Sequence, residues 1–405
     1  MKDFLTIDDY DFKGKTVLLR VDINSPVSEK GKVEISDRSI AAAKTIRELA
    51  IKKAKVVVLA HQGRKGDPDF IPLKQHARIL TRYSRKKVKF VNDIAGEKAV
   101  KKIKSLKNGQ IILLNNVRLL PDETEKKSAE QHTQSELVRV LAPLADVFVN
   151  DAFSAAHRSQ ASTIGFIPLL PSLVGRTMEM EVGSIEKVFG RMKISKHDIF
   201  VLGGAKPDEP LEIMECMLGK GTLETVLVDG VIGLLFLVAN GYDLGDPTVD
   251  FLKEKGYIEY LPQVKKILKK YKKKVVIPLD VAVEVNKKRK EFSVEELPVN
   301  YQIMDIGTKT IEKYIRIIKQ SKNIVMKGPA GVYEKKGFGI GTKIILKAVK
   351  NSGSVSLVGG GHTLSAISKF KISKNGFSHV SLGGGALIIY LSGKKLPALE
   401  ALRKN

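Results

Sequence analysis

Short runs of β-branched and aliphatic residues alternate with longer stretches of helical periodicity along the whole chain. The run near Val17 is followed at residues 37–50 by Ile40, Ala43, Ile46, Leu49 and Ala50, an apolar stripe of one helix, and then by the run near Val56. Strand, helix and strand at that spacing form a βαβ unit, and its recurrence predicts parallel sheets covered by helices. With 405 residues, the chain exceeds what a single core accommodates, about 250 to 300 residues. Gly165, Pro168, Pro171 and Gly175 interrupt the rhythm before the helical pattern Met178-Glu179-Met180-Glu181-Val182, placing a boundary within 167–176. The expectation is an α/β protein of two doubly wound, Rossmann-like parallel-sheet domains, residues 1–170 and 171–395, joined by a hinge with the ligand cleft between them.

The apolar runs end differently in the two halves. In the first, they lead into Arg20-Val21-Asp22-Ile23-Asn24, His61-Gln62-Gly63-Arg64, Asn115-Asn116-Val117-Arg118 and Asn150-Asp151, the last followed by His157-Arg158. In the second, they lead into Gly203-Gly204-Ala205-Lys206, Gly359-Gly360-Gly361-His362-Thr363 and Gly383-Gly384-Gly385. Ligands of open parallel sheets bind beyond the carboxyl ends of the strands, where helix amino termini point their N–H groups. Asp22, Asn24, Arg38, His61, Arg64, Arg118, His157 and Arg158 are therefore expected on one rim. Guanidinium forks match carboxylate and phosphate oxygens, and Asp22 and Asn24 supply acceptors for a hydroxyl. A small molecule carrying phosphate, carboxylate and hydroxyl would satisfy the set. The glycines of the second half let backbone amides approach phosphates, with Lys206 adding charge. Neither Gly-x-x-x-x-Gly-Lys-Ser/Thr nor a Gly-x-Gly-x-x-Gly in the right context is present, which points to a nucleotide site of another design.

Composition narrows the function classes. Lys and Arg number 69 against 44 Asp and Glu, so 69 − 44 = +25, a balance suited to nucleic acid or anionic substrates. Val264, Ile267, Leu268 and Tyr271 nevertheless put Lys265, Lys266, Lys269 and Lys270 on the outer face of an amphipathic helix, and no specific nucleic acid is expected. Cys216 is the only cysteine, which excludes an internal disulfide and a thiolate metal cluster. The apolar stretch at 231–239 falls short of the ~20 residues of a membrane helix. Acids interrupt the amino terminus too early for a secretion signal, so a cytoplasmic protein without membrane partners, monomeric or homodimeric, is expected. The seven histidines show no metal-ligand spacing, and Mg2+ is expected to arrive with nucleotide phosphates. Asp208 or Glu209 either assists the metal or acts as an ordinary first-turn acid. His362 is read as a donor to phosphate.

These segments, with Asp305-Ile306-Gly307, Gly328-Pro329-Ala330-Gly331-Val332-Tyr333-Glu334 and Ser378-His379-Val380-Ser381, resemble the phosphoglycerate kinase family over essentially the whole chain. Gln62 after the histidine and His362 in the glycine run resemble its archaeal branch. The resemblance implies reversible phosphoryl transfer from 1,3-bisphosphoglycerate to ADP, giving 3-phosphoglycerate and MgATP. It implies that Asp22, Ile23, Asn24, Arg38, His61, Gln62, Gly63, Arg64, Arg118 and Arg158, with His157, hold the glycerate ligand. Glu334 is expected on the ribose. Gly203, Gly204, Ala205, Lys206, Gly230, Gly328, Pro329, Gly359, Gly360, Gly361, His362 and Thr363 are expected around the rest of the nucleotide. Arg38 and Lys206 are the residues expected to stabilise the transferring phosphoryl group, after cleft closure, and residues 396–405 are expected to pack back on the first domain.

Three positions depart from the family's pattern. Pro210 stands where many members carry a second lysine, Asp229 replaces the first residue of a Gly-Gly pair, and Lys327 replaces an Asn. Lys327 is read either as phosphate-directed charge or as a surface lysine beside a turn.

Overall fold

In the computed structural model, which describes residues 3–191, 198–221, 223–391 and 393–403, the chain divides into two compact units. One is Met1–Gly183 with Lys394–Asn405, the other Ser184–Gly393. The first contains strands β1 (Thr16–Val21), β2 (Lys55–Leu59), β3 (Val88–Phe90), β4 (Ile111–Leu113), β5 (Val147–Asp151) and β6 (Ser172–Val174). They form a parallel sheet ordered β3-β4-β2-β1-β5-β6. All six residues of β1 are buried, as befits a strand covered on both faces. Val17, Leu19 and Val21 pack with Ala43, Ile46 and Leu49 of the helix Asp37–Ile51. Leu18, facing the other way, packs with Phe148, Leu137 and Leu141.

The stretch 167–176 holds β6, whose Leu173 and Val174 are buried and whose backbone pairs with Phe148, Val149 and Asn150. Pro168 and Pro171 precede this edge strand, where a missing N–H is tolerated. The division between units falls later, within the helix Arg176–Arg191. Asp151 caps that helix, accepting from the N–H groups of Thr177 and Met178. At the other end of the chain the helix Pro397–Leu402 joins the first unit, where Ala398 N–H donates to the Ala156 carbonyl.

The second unit contains β7 (Asp198–Leu202), β8 (Thr225–Val228), β9 (Val275–Val276), β10 (Asp280–Val285), β11 (Lys288–Ser293), β12 (Ile303–Ile306), β13 (Asn323–Lys327), β14 (Val355–Gly359) and β15 (His379–Ser381). Its parallel sheet is ordered β15-β14-β13-β7-β8-β9. A three-stranded antiparallel sheet, β11-β10-β12, adds a feature that the βαβ reading lacked. Its hairpin turns at Asn286 and Lys287, both at positive φ, the backbone that two-residue hairpin turns require. The lysine-rich helix Leu261–Tyr271 buries Val264, Ile267 and Leu268 and exposes Lys265, Lys266, Lys269 and Lys270. Among the described residues no helix is long and apolar enough to cross a membrane.

Both sheets start in the middle. β1 lies between β2 and β5, and β7 lies between β8 and β13. Strand order reverses at these two places, where a crevice opens beyond the carboxyl ends.

Two candidate ligand rims

At the β1/β5 reversal the first unit gathers cations from five separate segments. Arg20, the penultimate residue of β1, is fully buried, donating to Ser162 Oγ at 2.8 Å and to His61 Nδ1 at 2.9 Å. His61 is buried, and its pKa lies well below the ordinary value. Loss of water is the largest cause, followed by Arg20, Arg118, Arg158 and Arg38. A neutral ring accepting at Nδ1 carries its proton on Nε2. The Arg118 guanidinium is lowered to about 10, first by burial and then by Arg158, Arg20 and Arg64. Arg118 Nη1 donates to the Gly63 carbonyl, while its Nε is buried without a hydrogen-bond partner. Arg158 Nε donates to His157 Nε2 at 3.1 Å. Arg20, Arg38, Arg64, Arg118 and Arg158 thus share one electrostatic neighbourhood.

Two carboxylates partly balance it. Asp22 pairs with Arg38 at 3.1 Å and accepts from Ser154 Oγ and from Asn24 N–H. Burial works against its charge, but Arg38, Ser154, Asn24 and Arg20 more than offset this and hold its pKa below the usual range. Glu123 is fully buried and accepts twice from Ser162, at 2.6 and 2.9 Å. Burial raises its pKa, opposed by Arg20 and Ser162. Sequence reading missed Arg20 and Glu123. Arg20 carried a signal, since a cation inside an apolar run needs a buried partner, whereas Glu123 sits in the short 3-10 helix Pro121–Thr124 with no distinguishing pattern.

Some expected ligand contacts have structural duties instead. The Ile23 side chain is in the core, so only its backbone can face a ligand. Gln62 is fully buried, its amide accepting from Ser25 N–H and His76 Nε2 and donating to the Ser25 carbonyl. Gly63 donates to Asn24 Oδ1 at 2.9 Å and has φ +67°, and a Cβ there would lie 2.5 Å from the Asp69 carbonyl oxygen. Both hold the loop; Asn24, Arg38, Arg64, His157 and Arg158 remain on its accessible side.

In the second unit the glycines divide into two kinds. Gly203 N–H donates to the Lys327 carbonyl, Gly204 N–H to that of Pro329, and Gly230 N–H to that of Ala330. Their amides are engaged, and their missing side chains let the loops after β7, β8 and β13 touch. Thr363, fully buried, accepts from Gly328 N–H at 2.9 Å and ties in the loop after β14. Gly359 is equally packed, a Cβ there lying 2.8 Å from Leu387. Gly361 differs: it opens the helix Gly361–Lys369, is exposed, and has nothing within 4 Å of a Cβ position. Its neighbour His362 is also exposed, 3.9 Å from Glu334. Desolvation and Lys206 lower the His362 pKa against the pull of Glu334. Ala205 and Lys206 are exposed. The open elements of this rim therefore include Lys206, Gly361 and His362.

Asp229 lies beneath this knot. It is fully buried, and neither carboxylate oxygen has a hydrogen-bond partner. Burial pushes its pKa well above the ordinary value, and Asp305 adds to the rise. A group whose folded pKa is raised contributes stability below its unfolded pKa, near 3.8, and loses it as pH rises toward the folded value. Asp229→Ala removes a buried polar group left unpaired, a cost of about 1–3 kcal/mol. The variant is expected to resist urea better than the parent, with a larger gain at pH 8 than at pH 4.5. Tyrosine fluorescence follows this well, because the chain has no tryptophan and eight of its ten tyrosines lie in the second unit. An equal effect at both pH values would contradict the assignment.

Comparison with known proteins agrees with the α/β fold of two parallel six-stranded sheets. The family model for phosphoglycerate kinase matches residues 7–394. The chain is 45% identical over 402 residues to the phosphoglycerate kinase of Sulfurisphaera tokodaii, covering 98% of this chain and 95% of the relative. It is 43% identical over 401 residues to that of Methanobacterium bryantii, covering 98% and 97%. The crystal structure of phosphoglycerate kinase from Pyrococcus horikoshii OT3 superposes with a TM-score of 0.91 at 38% identity, covering 98% of each chain.

Proposed function

The chain belongs to the phosphoglycerate kinase family, and from that premise we propose how its two rims divide the work of moving a phosphoryl group reversibly from 1,3-bisphosphoglycerate to ADP. The observation that carries the division is the arginine cluster at the β1/β5 reversal, whose positive charge exceeds that of its two carboxylates. An anion with several oxygens is its complement. Arg64, Arg118 and Arg158 grip phosphate and carboxylate. Asp22 or Asn24 accepts from the glycerate hydroxyl, and His61 offers its Nε2 proton. Arg20 and Glu123 hold these groups from behind.

The second unit takes the nucleotide. Lys206, Gly361 and His362 face the phosphates, and Glu334 takes the ribose. Gly203, Gly204, Gly230, Gly328, Pro329, Gly359, Gly360 and Thr363 shape the loops. A transferring phosphoryl group needs positioning and charge stabilisation more than a protein nucleophile. Arg38 and Lys206 supply that charge, and transfer requires the reacting atoms within about 3–3.5 Å.

Among the described residues no group of three or more His, Cys, Asp or Glu could hold a metal ion. Mg2+ carried mainly by phosphate oxygens and water would neutralise charge on the nucleotide. Glu209 is engaged by Lys327, which leaves exposed Asp208 as the nearby acid for the ion. A cytoplasmic location and a monomeric or homodimeric state belong to the same proposal. The test is a coupled assay with 1,3-bisphosphoglycerate and ADP. ATP is expected to form, with turnover requiring Mg2+; nucleotide binding without ATP formation would contradict the reading.

A further inference from the structure

We propose that Glu209 is an internal stand-in for nucleotide phosphate: it holds Lys327 until ADP or ATP arrives and is then displaced from it. The proposal rests on the nucleotide reading above. Lys327 ends β13, paired in register with Leu202 on one side and Gly359 on the other. Its side chain therefore lies between the two loops that begin at Gly203 and Gly360. The stem runs under Gly360, where a Cβ would lie 3.5 Å from Lys327 Cγ. Only 12% of the side chain is exposed, so the reading of a surface lysine beside a turn is excluded.

Its Nζ pairs with Glu209 Oε2. Glu209 belongs to the first turn of the helix Asp208–Gly219, three residues after Lys206. Its other oxygen reaches the start of the helix Gly384–Leu391, where a Cβ on Gly385 would lie 2.5 Å from Oε1. Gly384 in turn packs against the backbone of Gly360. One carboxylate thus sits against an ammonium and the beginning of a helix, the surroundings that favour a phosphate oxygen.

The two partners are unequal. Glu209 is 28% exposed and can turn toward water, whereas Lys327 is held under Gly360. A polyphosphate brought beside Glu209 repels it and takes over Lys327. Binding then costs the broken ion pair, and re-formation of the pair assists release.

The test is calorimetric titration of ADP, in EDTA and with Mg2+, into the full chain and its variants. Glu209→Gln is expected to tighten free ADP about fivefold, the low end of coupling energies. Lys327→Met is expected to weaken it by about tenfold, and adding Glu209→Gln to Lys327→Met gives no gain. A purely structural Glu209 predicts the opposite sign, since its loss would loosen the loops. Unchanged or weaker free ADP binding by Glu209→Gln overturns the proposal, as does a loss confined to MgADP, which marks a metal ligand. Lys206→Ala separates the two levels of inference. Weaker ADP in that variant, together with an indifferent Glu209→Gln, removes the stand-in and keeps the site; indifference in both removes the site itself.

Discussion

Arg38→Ala is expected to lower kcat for ATP formation by about 100- to 1000-fold, the loss that follows removal of one preorganised group facing transition-state charge. Arg38 is set in the first turn of the helix Asp37–Ile51, whose N-cap Ser36 accepts from Ser39 N–H. Ser25, Ser36 and Ser39 join their hydroxyls in one cluster. The guanidinium is therefore presented from a capped, buttressed helix end, and its pairing with Asp22 fixes its direction. The variant also deprives Asp22 of its strongest opposing charge, so the Asp22 pKa should rise. Arg38→Lys keeps the charge but loses the planar fork, and should recover part of the rate. Steady-state rates beside an unchanged melting profile separate chemistry from folding. Turnover of Arg38→Ala within threefold of the parent would remove Arg38 from the transfer step.

The second large effect is structural. Gly328 has φ +88°, and a Cβ there would lie 2.1 Å from the Gly203 carbonyl oxygen and 2.3 Å from its carbon. Gly328→Ala must strain the backbone and separate the loops that follow β7 and β13. Strained backbone costs about 1–3 kcal/mol, and overpacking about as much again. The second unit should lose about 2–6 kcal/mol, read by tyrosine fluorescence in urea, and ADP should bind more than tenfold more weakly. Phosphoglycerate binding by the first unit should be retained. Unchanged urea resistance would show that the loops can part without cost.

Much of this architecture was legible in the order of strands and helices. Runs such as Val17–Leu19 and Val57–Leu59 are apolar on both faces, so they had to be central parallel strands, and polar residues at their carboxyl ends had to meet on one rim. The antiparallel sheet was less visible because Asn286-Lys287 reaches positive φ without a glycine. Contacts across long sequence separations escaped for a different reason. The Arg20–Ser162–Glu123 chain and the Lys327–Glu209 pair depend on which loops the sheets bring together, and pattern within any one segment does not encode that. The glycines show the same limit. Gly203, Gly204, Gly230 and Gly328 carry the composition of a phosphate loop, yet their conformations and amide partners show loop packing, while Gly361 presents the open backbone.

The most direct measurement is a pair of titrations, 3-phosphoglycerate and ADP, into the parent protein, Arg158→Ala and Lys206→Ala. Arg158→Ala should weaken 3-phosphoglycerate by at least about tenfold, the loss of one charged hydrogen bond, with ADP unaffected. Lys206→Ala should do the reverse. If Arg158→Ala weakens ADP instead, or Lys206→Ala weakens 3-phosphoglycerate instead, the acid and the nucleotide do not divide between the two rims as described.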